Sequence, residues 1–305
     1  MFPFSGFART LRGEQFTAMR RFDLLEPTTL LEACATLAKH EDSRVIAGGT
    51  ALLTLIKHGV FVPKTLVNLK KITAADGIVY AADKGLRVGA LATIFEIESA
   101  PLVRRHYPVL AEACHVVANI RIRNMATIGG NLAHGDYQSD PPTALIALDA
   151  SVELISGTGA RQMKLSDFLL GSYETALMPG ELIAALLLPP APDLRGTYVK
   201  FTTGSSEERP CAGIAALARF DGEICQVLRL AVGAVSPRPI RIQKAEELAR
   251  GARLTAPLIA QVAKLASQAV EPIDDLRGPA DYKRHLVEVL VRRALTSVAQ
   301  SQEGK

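Results

Sequence analysis

Two short segments of this sequence carry residue types and a spacing suited to gripping a phosphate. Ile46-Ala47-Gly48-Gly49-Thr50-Ala51-Leu52 reads as a strand end, a glycine turn and a helix start. Glycines let a backbone come close to a ligand and expose consecutive N–H groups, and a helix N-terminus adds partial positive charge. Thr50 can add a hydroxyl donor and cap the following helix. The second segment, Thr127-Ile128-Gly129-Gly130-Asn131-Leu132-Ala133-His134, again sets two glycines after a β-branched residue, with polar side chains at either end. Neither segment matches GxGxxG or a P-loop, so those two phosphate-binding readings fail. Taken singly, each Gly-Gly pair is a tight connection. Two of them, about eighty residues apart, can clamp one diphosphate from two sides at a junction between structural units.

The elements that must position these segments follow from the periodicity. Pro27-Thr28-Thr29 and the apolar spacing after it predict a capped helix, residues 44–47 a strand, 51–57 a helix stopped by Gly59, and 67–69 a strand. Residues 77–90 predict a hairpin around Asp83-Lys84-Gly85, followed by helices at 94–99 and 108–117. Residues 127–140 read as a glycine-rich loop running into a helix at 143–148, and 151–165 as a hairpin turning at Gly157-Thr158-Gly159. Pro189-Pro190-Ala191-Pro192 is a stiff linker that cannot join a sheet ladder. Beyond it lie strands at 197–202, 213–220 and 224–235, with Asp221-Gly222 as a hairpin turn, then helices at 243–250, 256–270 and 280–299. The hairpins exclude a purely parallel doubly wound sheet. The organisation expected is an extension at 1–20, α/β units at 21–76 and 77–190, and a C-terminal α+β unit at 191–305.

Composition narrows the partners. A net charge of +4 over 305 residues, with no Lys/Arg block, speaks against nucleic acid. The apolar run at 182–188 is far too short to span a bilayer. Cys34, Cys114, Cys211 and Cys225 form no CxxC pair, which argues against a zinc or iron–sulfur site built by this chain and for thiols packed in a reducing compartment. Arg20-Arg21 is not followed by the uninterrupted apolar region of an export signal, because Glu26-Pro27 intervenes. The expected location is therefore the cytoplasm, and Met19 is a second candidate start.

Ala47-Gly48-Gly49-Thr50 together with Thr127-Ile128-Gly129-Gly130-Asn131 resembles the signature of flavoprotein subunits in the xanthine dehydrogenase and carbon monoxide dehydrogenase family, the molybdenum hydroxylases. The resemblance extends through Asn119-Ile120-Arg121, Ala144-Leu145-Ile146-Ala147-Leu148-Asp149-Ala150, Tyr198-Val199-Lys200-Phe201 and Gly233-Ala234-Val235-Ser236-Pro237-Arg238-Pro239. It implies an α+β fold in which a two-part α/β FAD-binding region of the PCMH type precedes a small antiparallel sheet with helices. It implies FAD as the cofactor of this chain. Val45, Ile46, Ala47, Gly48, Gly49, Thr50, Ala51 and Leu52 would contact the diphosphate from one side, and Thr127, Gly129, Gly130 and Asn131 from the other. Asp140 would hold the adenosine ribose hydroxyls, since a carboxylate accepts two hydrogen bonds from a vicinal diol. Val117 and Ile183 would pack on the cofactor, His134 would donate to it, and Lys200 would lie near the isoalloxazine. No catalytic residue and no metal ligand is expected here.

The partners implied are a large molybdopterin-binding subunit with the molybdenum cofactor and a small [2Fe-2S] subunit, as a dimer of heterotrimers with a terminal electron acceptor. Thr50-Ala51 stands where carbon monoxide dehydrogenase subunits tend to carry His-Ser, which weakens that particular substrate. One competing reading is a self-contained flavin oxidoreductase; residues after Pro189 offer it no His/Tyr/Glu cluster that reads as a site. Another is a scaffold that has lost FAD, against which the intact glycines in both segments argue.

Overall fold

The computed structural model describes residues 21–75 and 77–300. The expected extension at 1–20, with the alternative start Met19, lies outside the described residues, and so does Asp76 at the first expected boundary. The chain opens with a parallel sheet of β1 (Asp23–Leu25), β2 (Ser43–Ile46) and β3 (Thr65–Asn68), in the order β1-β3-β2. Parallel pairing requires crossovers, here α1 (Leu30–Lys39) and α2 (Leu52–Lys57). Thr29 caps α1 by accepting from the Glu32 N–H at 3.1 Å, and Glu32 reaches back to the Thr28 N–H at 2.7 Å. The strand at 23–25 was not expected; three residues are too few for their pattern to show.

The middle sheet is antiparallel throughout, in the order β4 (Ile78–Ala81), β5 (Gly85–Gly89), β10 (Leu182–Leu188), β6 (Ser151–Ser156) and β7 (Gly159–Lys164). Both expected hairpins are present in register. Between β5 and β6 run α3 (Ile94–Ser99), α4 (Pro101–His106), α5 (Pro108–His115), α6 (Ile120–Arg123), α7 (Ile128–His134) and α8 (Asp140–Ala147). Two of these correct the sequence reading. The glycine-rich stretch after Thr127 is helix rather than loop, because Thr127 accepts from the Gly130 N–H at 3.1 Å and so caps a turn that glycines would otherwise weaken. Helix α8 begins at Asp140, earlier than expected, with Pro141 in its first turn where no N–H is needed. Short elements α9 (Leu165–Phe168), β8 (Leu169–Gly171) and β9 (Glu174–Thr175) fill the interval before β10.

After the proline linker, β11 (Arg195–Phe201), β12 (Ala212–Asp221), β13 (Ile224–Gly233) and β14 (Ile240–Arg241) form an antiparallel sheet, and β15 (Ala252–Arg253) also pairs β13. Gly222 supplies the positive φ, +54°, of the β12–β13 turn. Helices α10 (Gln243–Ala249), α11 (Ala256–Ala269) and α12 (Ala280–Gln300) cover one face. The alternation of β12 divides it between two cores. Ile214, Ala216 and Ala218 pack with α11 and α12, whereas Ala215 and Leu217 pack with α5 and α8. The small alanines let helices approach this strand from both sides, so the sheet is the filling of a sandwich rather than a separate body. All four cysteines are buried and unpaired.

Candidate functional site

The turn after β2 is an open set of donors. Among the described residues, the N–H groups of Gly48, Gly49, Thr50, Ala51 and Leu52 donate to no other atom of the chain. Gly49 sits at φ +70°, a conformation that favours glycine and turns successive N–H groups to one side. Thr50 does not cap α2 as expected; Ala51 occupies the cap position, which has no side-chain bond, so the Thr50 hydroxyl is not committed to the helix. Gly48 serves a different purpose. A Cβ there would overlap the Met125 carbonyl oxygen and stand 3.0 Å from Ala126 Cα. The first turn is thus seated directly on the chain entering the second segment.

The second segment is closed where the first is open. Its donors are spent inside the protein: the Ile128 N–H goes to Ala92 O at 2.9 Å, Gly129 to Ala90 O at 2.8 Å, Gly130 to Thr127 Oγ1 and Asn131 to Thr127 O at 2.9 Å. A Cβ on Gly129 would lie 2.7 Å from both Ala90 Cβ and Ala90 O, so this glycine exists for packing against the β5–α3 connection. What the segment can offer a ligand is side chains. Thr127 Oγ1 accepts from Gly130 and keeps its own proton to donate. The Asn131 amide exchanges hydrogen bonds with Ser139 Oγ, at 2.8 and 3.0 Å, within reach of solvent. Open backbone donors on one side and hydroxyl and amide side chains on the other fit a diphosphate.

Asp140 is placed otherwise than a free carboxylate for a diol would be. It is only 4% exposed, Tyr198 Oη donates to its Oδ1 at 2.8 Å and Lys200 Nζ to its Oδ2 at 3.0 Å. Burial pushes its carboxyl up to about 6, against the opposing pull of Lys200 and Tyr198. Lys200 also donates to Val116 O at 2.7 Å, and its side chain is only 7% exposed. It lines a cavity of about 440 Å³ with His115, Val116, Ala118, Asn119 and Arg123. Arg123, the other cation of that wall, is paired with Glu98 at 2.8 Å. Lys200 and Arg123 therefore each have a counter-charge, and the wall also carries the Glu207 carboxylate, which accepts from the Asn119 amide at 3.1 Å.

The remaining expected contacts are dispersed. Val117 is half-buried beside that cavity wall, next to Ala118 at φ +40°, while Ile183 is a core side chain of β10 in the same apolar cluster as Ile128 and Leu132. His134 ends α7, about 10 Å along the axis from Thr127; its ring tilts against Tyr173 at 5.2 Å and burial lowers its basicity. Sequence reasoning missed the parts that hold the site together: Met125, Ala90, Ser139 and Tyr198. Their roles rest on carbonyls and long-range neighbours, for which residue type carries no signal, although Tyr198 did fall within the resembling motif.

Residues 20–191 match the family described as the FAD binding domain in molybdopterin dehydrogenase, and residues 200–298 the CO dehydrogenase flavoprotein C-terminal domain. The chain belongs to this family. Among its relatives, the carbon monoxide dehydrogenase medium chain of Hydrogenophaga pseudoflava is 31% identical over 280 residues, 91% of this chain and 96% of that one. The xanthine dehydrogenase FAD-binding subunit of Escherichia coli O157:H7 is 29% identical over 279 residues, with the same coverage. A solved structure of the Hydrogenophaga pseudoflava carbon monoxide dehydrogenase superposes with a TM-score of 0.89 at 31% identity, covering 93% of this chain and 99% of that one. Quinoline 2-oxidoreductase from Pseudomonas putida 86 gives 0.89 at 29%, again over 93% and 99%. The expected fold and the expected cofactor, FAD, both stand. In this FAD-binding subunit the two glycine segments and the Asp140–Lys200 pair all lie within or immediately after the matched FAD-binding region. No helix among the described residues is long and apolar enough to cross a membrane.

Proposed function

We propose that this chain is the flavin-carrying electron relay of a molybdenum hydroxylase, receiving electrons from a partner's [2Fe-2S] clusters and passing them to a terminal acceptor. The observation that carries the reading is the run of free N–H groups from Gly48 to Leu52, held by Gly48 against the chain leading into Thr127. When bound, FAD supplies a centre that accepts electrons one at a time and releases them as a pair. The chain's own part is to bind and orient. The turn through Val45, Ile46, Ala47, Gly48, Gly49, Thr50, Ala51 and Leu52 neutralises the diphosphate with backbone donors, and Thr127 and Asn131 add side chains from α7. Gly129 and Gly130 keep that helix turn low. The cavity beside Lys200, whose two cations are both paired and whose wall also carries the Glu207 carboxylate, suits an uncharged ring better than a phosphate, so it takes one of the cofactor's two ring systems. Val117 flanks it, Asp140 acts by fixing Lys200, and Ile183 of β10 packs in the same apolar cluster as Ile128 and Leu132, behind the second glycine segment. His134 lies farther off and contributes a weaker contact.

The relatives carry names for different substrates, carbon monoxide, xanthine, nicotine and quinoline, yet share this fold over nearly their full length. A chain common to all of them is not where substrate is chosen. The reading therefore places the molybdenum cofactor on a large partner and the clusters on a small one, in a cytoplasmic dimer of heterotrimers. Within the chain it assigns residues 21–76 and 77–190 to the cofactor and 191–305 to support, with Lys200 of β11 reaching into the cofactor cavity. The test is to purify the chain with and without its partners. A flavin absorption band with no substrate oxidation by the chain alone is expected, together with substrate-dependent bleaching of that band in the complex. Turnover of an organic substrate by the isolated chain would overturn the reading.

A further inference from the structure

The C-terminal sheet buries mostly small apolar side chains, so a polar line running into it needs an account. Tyr198 and Lys200, two apart on β11, point to the same face and hold the two oxygens of Asp140 between them. Thr143, next along α8, is fully buried beside them. Space for the two hydroxyls is carved by a pair of glycines that face each other across β12 and β13. Gly213 and Gly233 are cross-strand partners; a Cβ on the first would overlap Tyr198 Oη, and one on the second would overlap Thr143 Oγ1. The line ends at the Lys200 ammonium. An ammonium has three protons to donate, and here two go to Val116 O and Asp140 Oδ2. The third is left for the cavity.

We propose that Tyr198 is a positioning residue for cofactor binding that acts through Lys200. By donating to Oδ1 it stops the Asp140 carboxylate from turning, and Oδ2 then holds the ammonium at one point of the cavity wall with its third proton directed inward. Without the hydroxyl, Oδ1 is left bare and Lys200 loses its fixed partner. The inference rests on the reading that the cavity beside Lys200 receives part of FAD.

The experiment measures FAD affinity of the full-length apoprotein by flavin fluorescence for four forms: wild type, Tyr198→Phe, Lys200→Met and the double variant. Lys200→Met is expected to weaken binding about tenfold or more, and Tyr198→Phe about three- to tenfold, the range for a lost hydrogen bond to a charged group. The double variant should bind no more weakly than Lys200→Met alone, because Tyr198 has nothing left to act through. The visible circular dichroism of bound FAD should shift in the same sense in both single variants. Multiplicative losses in the double variant, or unchanged binding in Tyr198→Phe, would overturn the positioning role while leaving the cavity assignment intact. Unchanged binding in Lys200→Met would instead sink the cavity assignment. Should Tyr198→Phe fail to fold, Asp140→Asn takes its place in the same cycle with the same expectation.

Discussion

Gly48 and Met125 touch backbone to backbone: the Met125 carbonyl oxygen occupies the space a Cβ on Gly48 would need. A contact so close cannot be relieved by rotating a side chain, since the obstructing atoms are main chain. Gly48→Ala should therefore push the turn off its seat. We expect a loss of stability of about 1–3 kcal/mol, as for other overpacked sites, and FAD binding weakened at least about tenfold by misplaced donors. Thermal unfolding with a parallel flavin titration checks both. A variant that melts lower but binds FAD normally would show that the seat is not part of the site.

Gly129 makes a second close approach, this time to Ala90. Gly129→Ala should destabilise the protein by about 1–3 kcal/mol through that contact. Adding Ala90→Gly should restore part of the loss, because it removes the Ala90 methyl but not the Ala90 carbonyl oxygen, each 2.7 Å from the new Cβ. Denaturant unfolding of the single and double variants gives the comparison. Simple additivity would mean the clash relaxes elsewhere.

Thr127 has a structural duty, and under the proposed function a ligand-facing one, in the same hydroxyl. Thr127→Ala removes the cap of α7 and should cost about 1 kcal/mol, with weaker FAD binding. Thr127→Ser keeps the oxygen and should retain both properties. If the serine variant binds FAD as poorly as the alanine one, the hydroxyl is not the group that matters.

Asp140 imposes a pH dependence of definite sign. Its carboxyl is held at about 6 in the fold against an ordinary 3.8, so the folded state binds a proton in an interval where the unfolded chain does not. The stability this contributes is complete below about 4 and is lost as pH rises through about 6, by at most about 3 kcal/mol. Asp140→Asn cannot titrate there and serves as the reference. Wild type should therefore lose stability relative to Asp140→Asn between pH 4.5 and 7 in urea unfolding. A constant difference would show that the carboxyl is not raised.

Local chemistry made much of the fold legible. The Asp83-Lys84-Gly85 and Asp221-Gly222 turns, the three C-terminal strands and the helices after them could be read because each rests on residues adjacent in sequence. The helix after Thr127 could not, since two glycines read as a loop until Thr127 is seen to cap it. In the site, the first glycine turn was legible as a donor cluster. The fate of the second segment's donors was not, because it depends on Ala90 and Ala92 approaching from another element. Asp140 and Lys200 were each singled out, but that they hold one another is a tertiary fact. The sequence shows what a side chain can do, and only the fold shows which partner has already claimed it.

The sandwich of the C-terminal sheet bears on how such a subunit can be recombined. Its β12 strand is half of two cores, and Asp140 belongs to one matched region while Tyr198 and Lys200 sit at the threshold of the other. A graft that takes one region from one relative and the second from another must match the apolar face of α5 and α8 and also return both partners to a buried carboxylate. The proline linker looks like a natural splice point, yet a join there severs the seam that the fold can least afford to leave half made.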